Sequence, residues 1–103
     1  MAAVAPAVHF EDLGQGRFRV AGCLSFDTAS HALSQSRGLF GAYKKIQLDL
    51  SGVEGTDSAG LALLVEWAGW ARREKRKLGF KNVPKQVLAL ARISEVDKIL
   101  ALD

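Results

Sequence analysis

Lys45–Leu50, KIQLDL, constrains this chain more than any other stretch, because a run of β-forming residues leads within a few positions into a long apolar helix pattern. A short run of this kind closed by Ser51-Gly52 is a strand entering the middle of a sheet. Ser51 to Thr56, which carries Gly52 and Gly55, is expected to be its exit loop. Asp57 or Ser58 then offers an N-cap oxygen to the orphan amides of a helix expected to reach about Lys77. A strand that feeds a helix must cross over before it meets another strand, so part of the sheet has to be parallel.

The flanking sequence extends this unit in both directions. His9 to Leu13 and Arg17 to Ala21 surround Gly14-Gln15-Gly16, and Phe18 and Val20 alternate with Arg17 and Arg19. This is the pattern of a β-hairpin closed by a glycine-bearing turn. Asp27 or Thr28 can cap a helix to about Phe40, with Ala32, Leu33, Ser36, Leu39 and Phe40 near one face. Leu78 to Asn82 is expected to be the next strand. Pro84 suits the first turn of a third helix carrying Val87, Leu88, Ala91 and Arg92. Val96 to Leu102 fits a short closing strand or a helical end. The expected order is β-β-α-β-α-β-α with an optional last strand: a mixed α/β sheet with helices packed on it, in a single domain over residues 8–103. At 103 residues, 49% of them hydrophobic and 24% charged, the chain has the length and composition of one globular domain.

Several chemistries lack their residues. Cys23 is the only cysteine, no Cys/His cluster has zinc-ligand spacing, and His9 and His31 are isolated. No apolar run reaches the roughly 18 residues that a bilayer span requires. MAAVAPAV lacks a basic n-region, so residues 1–7 are expected to be a flexible start and the chain to remain inside the cell. Ser58 lacks the glycine two places earlier that a nucleophile elbow uses, and no Gly-rich loop ends in Lys-Ser or Lys-Thr. Asp49, Glu54 and Asp57 could together approach Mg²⁺, but capping and solvated loop charge account for them more simply. No catalytic residue, metal or cofactor is expected.

The helix after Asp57 carries more apolar surface than one sheet covers. Leu61, Leu64, Val65, Ala68 and Ala71 define a face for the sheet, and Leu63, Trp67 and Trp70 fall outside it. Together they span roughly 220°, where a helix packed on one side needs a stripe of somewhat over 100°. Either neighbouring helices cover the remainder, or the tryptophans reach a partner protein. Five of the fourteen basic residues follow in Arg72, Arg73, Lys75, Arg76 and Lys77. At a helix C-terminus they interact favourably with the dipole, without any nucleic acid. The chain's net charge of +3 is otherwise scattered. Such charges could assist a complex already seated at a membrane.

Ile46 to Leu64, IQLDLSGVEGTDSAGLALL, resembles the signature of the STAS domain family, named for sulphate transporters and antagonists of anti-sigma factors: a hydrophobic-x-Leu-Asp-Leu strand, then Asp-Ser-x-Gly-Leu at a helix start. The resemblance implies a mixed sheet of four or five strands, helices mainly on one side, and no catalytic site. In one branch, the anti-sigma factor antagonists, a partner kinase phosphorylates the serine that aligns with Ser58; Ala59 replaces the second serine of the commoner pattern. The sequence looks more similar to another branch, the small cytoplasmic subunit of the Mla (maintenance of lipid asymmetry) transporter, through Asp57 to Leu64, Trp67 to Lys77, and Val83-Pro84-Lys85 to Leu90-Ala91. That likeness implies a cytoplasmic accessory subunit that binds the ATPase of a Gram-negative phospholipid ABC transporter. It would be peripheral to the inner membrane through a complex with the permease, without inserting itself. The expected partner surface is Thr56, Asp57, Ser58 and Gly60 with the outer helix face of Leu63, Trp67 and Trp70, and Ser58 is the expected phosphorylation switch.

Overall fold

Gln15 and Gly16 both take positive φ, 57° and 81°, the backbone of a type I′ turn whose twist matches that of the strands it joins. It closes an antiparallel hairpin between β1 (Val8–Gly14) and β2 (Arg17–Leu24). The computed structural model describes residues 7–100. After the hairpin come α1 (Ala29–Phe40), β3 (Lys45–Thr56), α2 (Ser58–Arg73), β4 (Lys77–Lys81) and α3 (Lys85–Ile93). The strands form one sheet in the order β1-β2-β3-β4, antiparallel at the first junction and parallel at the other two.

The element order is the one the sequence leads to, and the sheet has four strands among the described residues. The flexible start expected over residues 1–7 lies outside them except for Ala7, whose carbonyl accepts a hydrogen bond from Cys23 N at 2.8 Å. Of the tail expected as strand or helix, Asp97–Leu100 is a turn closed by Leu100 N on Val96 O at 3.0 Å, with Leu100 buried in the core; the remainder lies outside the described residues.

Ser51 to Thr56 is strand, not the exit loop that its glycines suggest. β3 stays paired with β2 up to Leu24 opposite Thr56, and it does so through two register shifts, between Arg19 and Ala21 and between Gly22 and Cys23. Each shift places one additional β3 residue against β2, and Gly52 and Gly55 lie at them. A Cβ on Gly52 would lie 2.8 Å from Ala21 Cβ and 2.9 Å from Val20 O. Glycine here marks bulged strand pressed against its neighbour.

One sheet face is apolar. Phe18, Val20 and Leu24 of β2 and Ile46, Leu48 and Leu50 of β3 are buried in a single cluster with Ala32, Phe40, Leu63, Leu64, Trp67, Val87 and Ala91 from all three helices. The alternating residues Arg17, Arg19 and Lys45 are exposed on the other face, as the period of two requires. All three helices therefore pack on the same side. Phe40 is the hub, with ring centroids 5.1 Å from Phe18, 5.9 Å from Phe10 and 6.0 Å from Trp67.

α2 turns a different stripe inward from the one expected. Gly60, Leu63, Leu64, Trp67 and Ala71 are buried, whereas Val65 is exposed and Leu61 and Ala68 are half-buried. Spacings of three and four residues connect either set, so periodicity alone does not choose between them. The outcome is set by α1, which covers the Leu63–Trp67 flank. The cover includes one polar contact: Trp67 Nε1 donates to Ser36 Oγ at 2.9 Å, and that hydroxyl donates to Leu33 O at 2.9 Å.

α2 also ends at Arg73, short of Lys77. Arg76 N reaches Ala71 O at 2.7 Å and Lys75 N reaches Arg72 O at 3.2 Å. This is a Schellman cap, with Lys75 at φ 56° in the left-handed position that glycine usually takes. α3 ends the same way, with Val96 N on Ala91 O at 2.9 Å and Glu95 at φ 60°. In α3, Val87 and Ala91 are buried, Leu88 is half-buried and Arg92 is exposed.

Candidate functional site

Asp57 organises the end of the molecule where β3 runs into α2. Its extended backbone places the side chain as N-cap, and Oδ1 accepts from Ala59 N at 2.8 Å. One orphan amide of the helix start is thereby satisfied. The second oxygen, Oδ2, accepts from Phe26 N at 3.2 Å, across 31 residues of sequence. One carboxylate therefore clamps the first turn of α2 to the loop between β2 and α1. Within that loop, Thr28 accepts from Ser25 N at 3.0 Å and donates to Cys23 O at 2.7 Å. It holds the loop instead of capping α1, for which its side chain makes no cap hydrogen bond.

This scaffold presents two exposed groups. Phe26 is 85% exposed although it is a large aromatic, and Ser58, the first residue of α2, is exposed beside it. Between α1 and α2 runs an open groove of about 480 Å³. Its floor and walls are mainly apolar, with Phe26, Ala29, Leu33, Ala59 and Ala62, and Ser58 and Glu66 supply the polar edge. A Ser58 side chain sits where the unsatisfied amides and positive end of the α2 dipole favour an anion. Asp57 and Glu66 set negative charge close by.

The structure brings Thr56, Asp57, Ser58 and Gly60 together. The Thr56 hydroxyl donates to Asp57 O at 3.3 Å. Gly60 is buried against Thr56 Oγ1 and Leu24 O, and a Cβ there would collide with the threonine hydroxyl. The glycine is thus what allows α2 to start so close to the ends of β2 and β3. Thr56 and Gly60 position the tip, and Asp57 and Ser58 face solvent from it.

The helix-face residues separate from that tip. Leu63 and Trp67 are each 2% exposed and belong to the core. Trp70 is half-buried, with its ring 6.2 Å from Phe40 and the Arg76 guanidinium 5.3 Å over it. The expectation that Leu63 and Trp67 reach a partner is corrected, because both are buried in the core beneath α1, whereas Trp70 keeps part of its surface in solvent. Phe26 is the large aromatic the tip does expose, and the sequence reading passed over it. Its signal was an aromatic set directly before the capping candidates Asp27 and Thr28.

The remaining candidates have local roles. Asp49 accepts from Asn82 Nδ2 at 2.9 Å and from Ser51 N at 2.9 Å. The Asn82 hydrogen bond first, then the Ser51 amide, hold its carboxyl below the usual carboxylate range. Asp49 thus ties β3 to the residue that follows β4 while Asp57 caps α2, and among the described residues no group of three or more His, Cys, Asp or Glu is placed to hold a metal ion. His9 and His31 line a shallow hollow with Asp27 and Gln35, and Ser58 does not border it. No described helix is long and apolar enough to cross a membrane.

Comparison with curated proteins gives no match. Among solved structures, the Bacillus cell fate determinant SpoIIAA in its phosphorylated form shares 14% identity over 88% of this chain and 86% of its own, with a TM-score of 0.64. The same anti-sigma factor antagonist in its unphosphorylated form shares 13% over 86% and 82%, at 0.60. The murine Slc26a9 anion transporter in its inward-facing state shares 19% over 85% of this chain, at 0.66. This chain spans only 15% of that transporter's length. At these identities the likeness is one of fold. A family model described as "Mlab, STAS domain" matches residues 10–101, and with it the signature at Ile46–Leu64 and the mixed four-stranded sheet find a common account: this chain belongs to the STAS domain family.

Proposed function

We propose that this chain is a non-catalytic subunit that binds the ATPase of an Mla-type ABC transporter moving phospholipids, and supports its assembly or activity. The observation that carries the reading is the tip: one carboxylate fixes a helix start and a neighbouring loop, so that Phe26 and Ser58 stand preformed at the mouth of an apolar groove. A surface ordered before binding pays less conformational entropy on association. An exposed aromatic beside such a groove is the usual form of an interface anchor. The description of the matching family model supports the Mla branch. On this reading residues 8–103 are one STAS domain, located in the cytoplasm and peripheral to the inner membrane through the ATPase and permease.

Co-purification from the native host tests it. Recovery of an ABC ATPase is the expected result, with Phe26→Ala lowering affinity by about 30-fold, as for an aromatic hot spot. Retention of full affinity in Phe26→Ala and in a Ser58→Glu variant would show that the partner grips another surface.

A second reading rests on Ser58 itself, exposed at a helix N-terminus where a phosphate adds little strain. It makes the chain an anti-sigma factor antagonist switched by a partner kinase at that hydroxyl. Its signature is recovery of an ATP-binding anti-sigma kinase and incorporation of phosphate into wild type but not into Ser58→Ala. Under either reading the added negative charge beside Asp57 opposes a partner matched to the tip, so Ser58→Glu weakens binding more than Ser58→Ala.

A further inference from the structure

The end of the molecule opposite the tip is basic, and its cations come from separate parts of the chain. Arg17 follows the hairpin turn, Lys44 and Lys45 lead into β3, and Lys75 and Lys77 lie between α2 and β4; all five are exposed. The sheet brings them together. Lys45 and Lys77 are direct cross-strand partners, Lys77 N donates to Lys44 O at 2.8 Å, and Gln47 N donates to Gly16 O at 2.9 Å, next to Arg17. Among the described residues of this end, the acids are Asp12, whose Oδ1 accepts from Gly14 N at 2.8 Å beside the hairpin turn, and Glu74 within the α2–β4 connection, against five exposed cations. The helix dipole accounts for Arg72 and Arg73, in the last turn of α2. It does not account for cations on the hairpin and β3. Like charges placed directly opposite in a sheet oppose its pairing, so the fold tolerates this cluster without gaining stability from it.

The hairpin adds an apolar element. The register of β1 against β2 shifts between Asp12 and Gly14, so Leu13 sits in a bulge, 42% exposed, with its carbonyl 3.5 Å from the Arg17 guanidinium. Bulges commonly redirect a side chain out of the sheet pattern. The aromatic rings at this end are turned inward: Tyr43 is half-buried with its ring 5.8 Å from Phe18, and Trp70 lies beneath Arg76. A single-strand nucleic-acid surface needs exposed rings for bases to stack on. Clustered Lys and Arg beside an exposed aliphatic side chain match an anionic lipid surface instead.

We propose that this basic end rests against an anionic phospholipid bilayer, with Lys45 and Lys77 at its centre, Arg17, Lys44 and Lys75 around them, and Leu13 at headgroup level. β3 runs from this end to the tip, and a strand of its twelve residues spans about 40 Å. The orientation therefore holds the Asp57 tip away from the membrane, accessible to a protein whichever partner the tip takes. The proposal does not depend on that partner's identity.

Vesicle co-sedimentation of the full chain tests it, with phosphatidylcholine alone or with 30% phosphatidylglycerol. Binding is expected to the anionic vesicles at low salt, to fall steeply in 0.5 M NaCl, and to be absent on phosphatidylcholine. Lys45→Ala with Lys77→Ala should lower the partition coefficient about 30-fold, corresponding to about 1 kcal/mol per cation near the surface. The control pair Lys85→Ala with Arg92→Ala, exposed on α3 and equal in charge lost, should change it less than about threefold. Unchanged thermal melts for both pairs establish that folding is not the cause. Three results overturn the proposal: no binding to anionic vesicles at low salt, equal losses from the two pairs, or displacement of the protein from vesicles by a single-stranded RNA oligomer at equal phosphate.

Discussion

Replacing Ser36 with alanine should destabilise the protein by about 1–2 kcal/mol, although alanine is the better helix former. Ser36 is 1% exposed in the middle of α1, and its Oγ accepts the Trp67 indole N–H at 2.9 Å. Removing that oxygen leaves a buried donor with no acceptor, which costs about 1–3 kcal/mol. Helix propensity returns at most a few tenths to half a kcal/mol, so the desolvation term wins. Urea unfolding followed by circular dichroism measures the difference, and each kcal/mol should also move the melting temperature by about 4–8 °C for a domain of this size. A double-mutant cycle with Trp67→Phe isolates the pair: in the Trp67→Phe background the donor is gone and Ser36→Ala should cost almost nothing. Equal costs of Ser36→Ala in the two backgrounds would refute the reasoning, because the loss would then come from packing alone.

Two further outcomes are expected. Lys75→Gly should stabilise the chain by about 1 kcal/mol in the same unfolding assay, since a residue with a Cβ at φ 56° carries a left-handed penalty that glycine lacks. Asn82→Gly keeps the positive φ of that position and removes the amide that Asp49 accepts from. NMR titration should show the Asp49 pKa rising toward its ordinary value. A depressed folded pKa stabilises above the unfolded value and loses that contribution as pH falls through the folded one. The variant should therefore lose less stability than wild type on acidification below about pH 4.

The order of elements was legible because each has its own local signal: alternation around Gly14–Gly16 and a β-rich run at Lys45. Asp57 is a cap as its position suggests, since N-cap chemistry is settled by the next two or three residues. Three features depended on distant chain. Gly52 and Gly55 look like loop residues until β2 is set against them. The inward stripe of α2 is ambiguous because nearly every position from Leu61 to Trp70 is apolar or small, and only α1 decides it. Lys75 ends α2 through backbone geometry that its side chain does not advertise. At the tip, Thr56, Asp57, Ser58 and Gly60 could be read as a group from the signature, whereas Phe26 joins them through a hydrogen bond spanning 31 residues.

β4 pairs only with Lys45–Asp49 of β3. From Leu50 to Thr56 that long strand has β2 along one side and no strand along the other among the described residues. The lower half of the sheet is thus braced from both flanks, and the upper half resembles a springboard clamped at its base. Amide exchange should be slower at Ile46–Asp49 than at Val53–Thr56, with local opening of the upper segment well below the free energy of global unfolding. With no second strand to brace it, the springboard's free end is held in place by β2 and by the Asp57 carboxylate that ties it to Phe26 and Ala59.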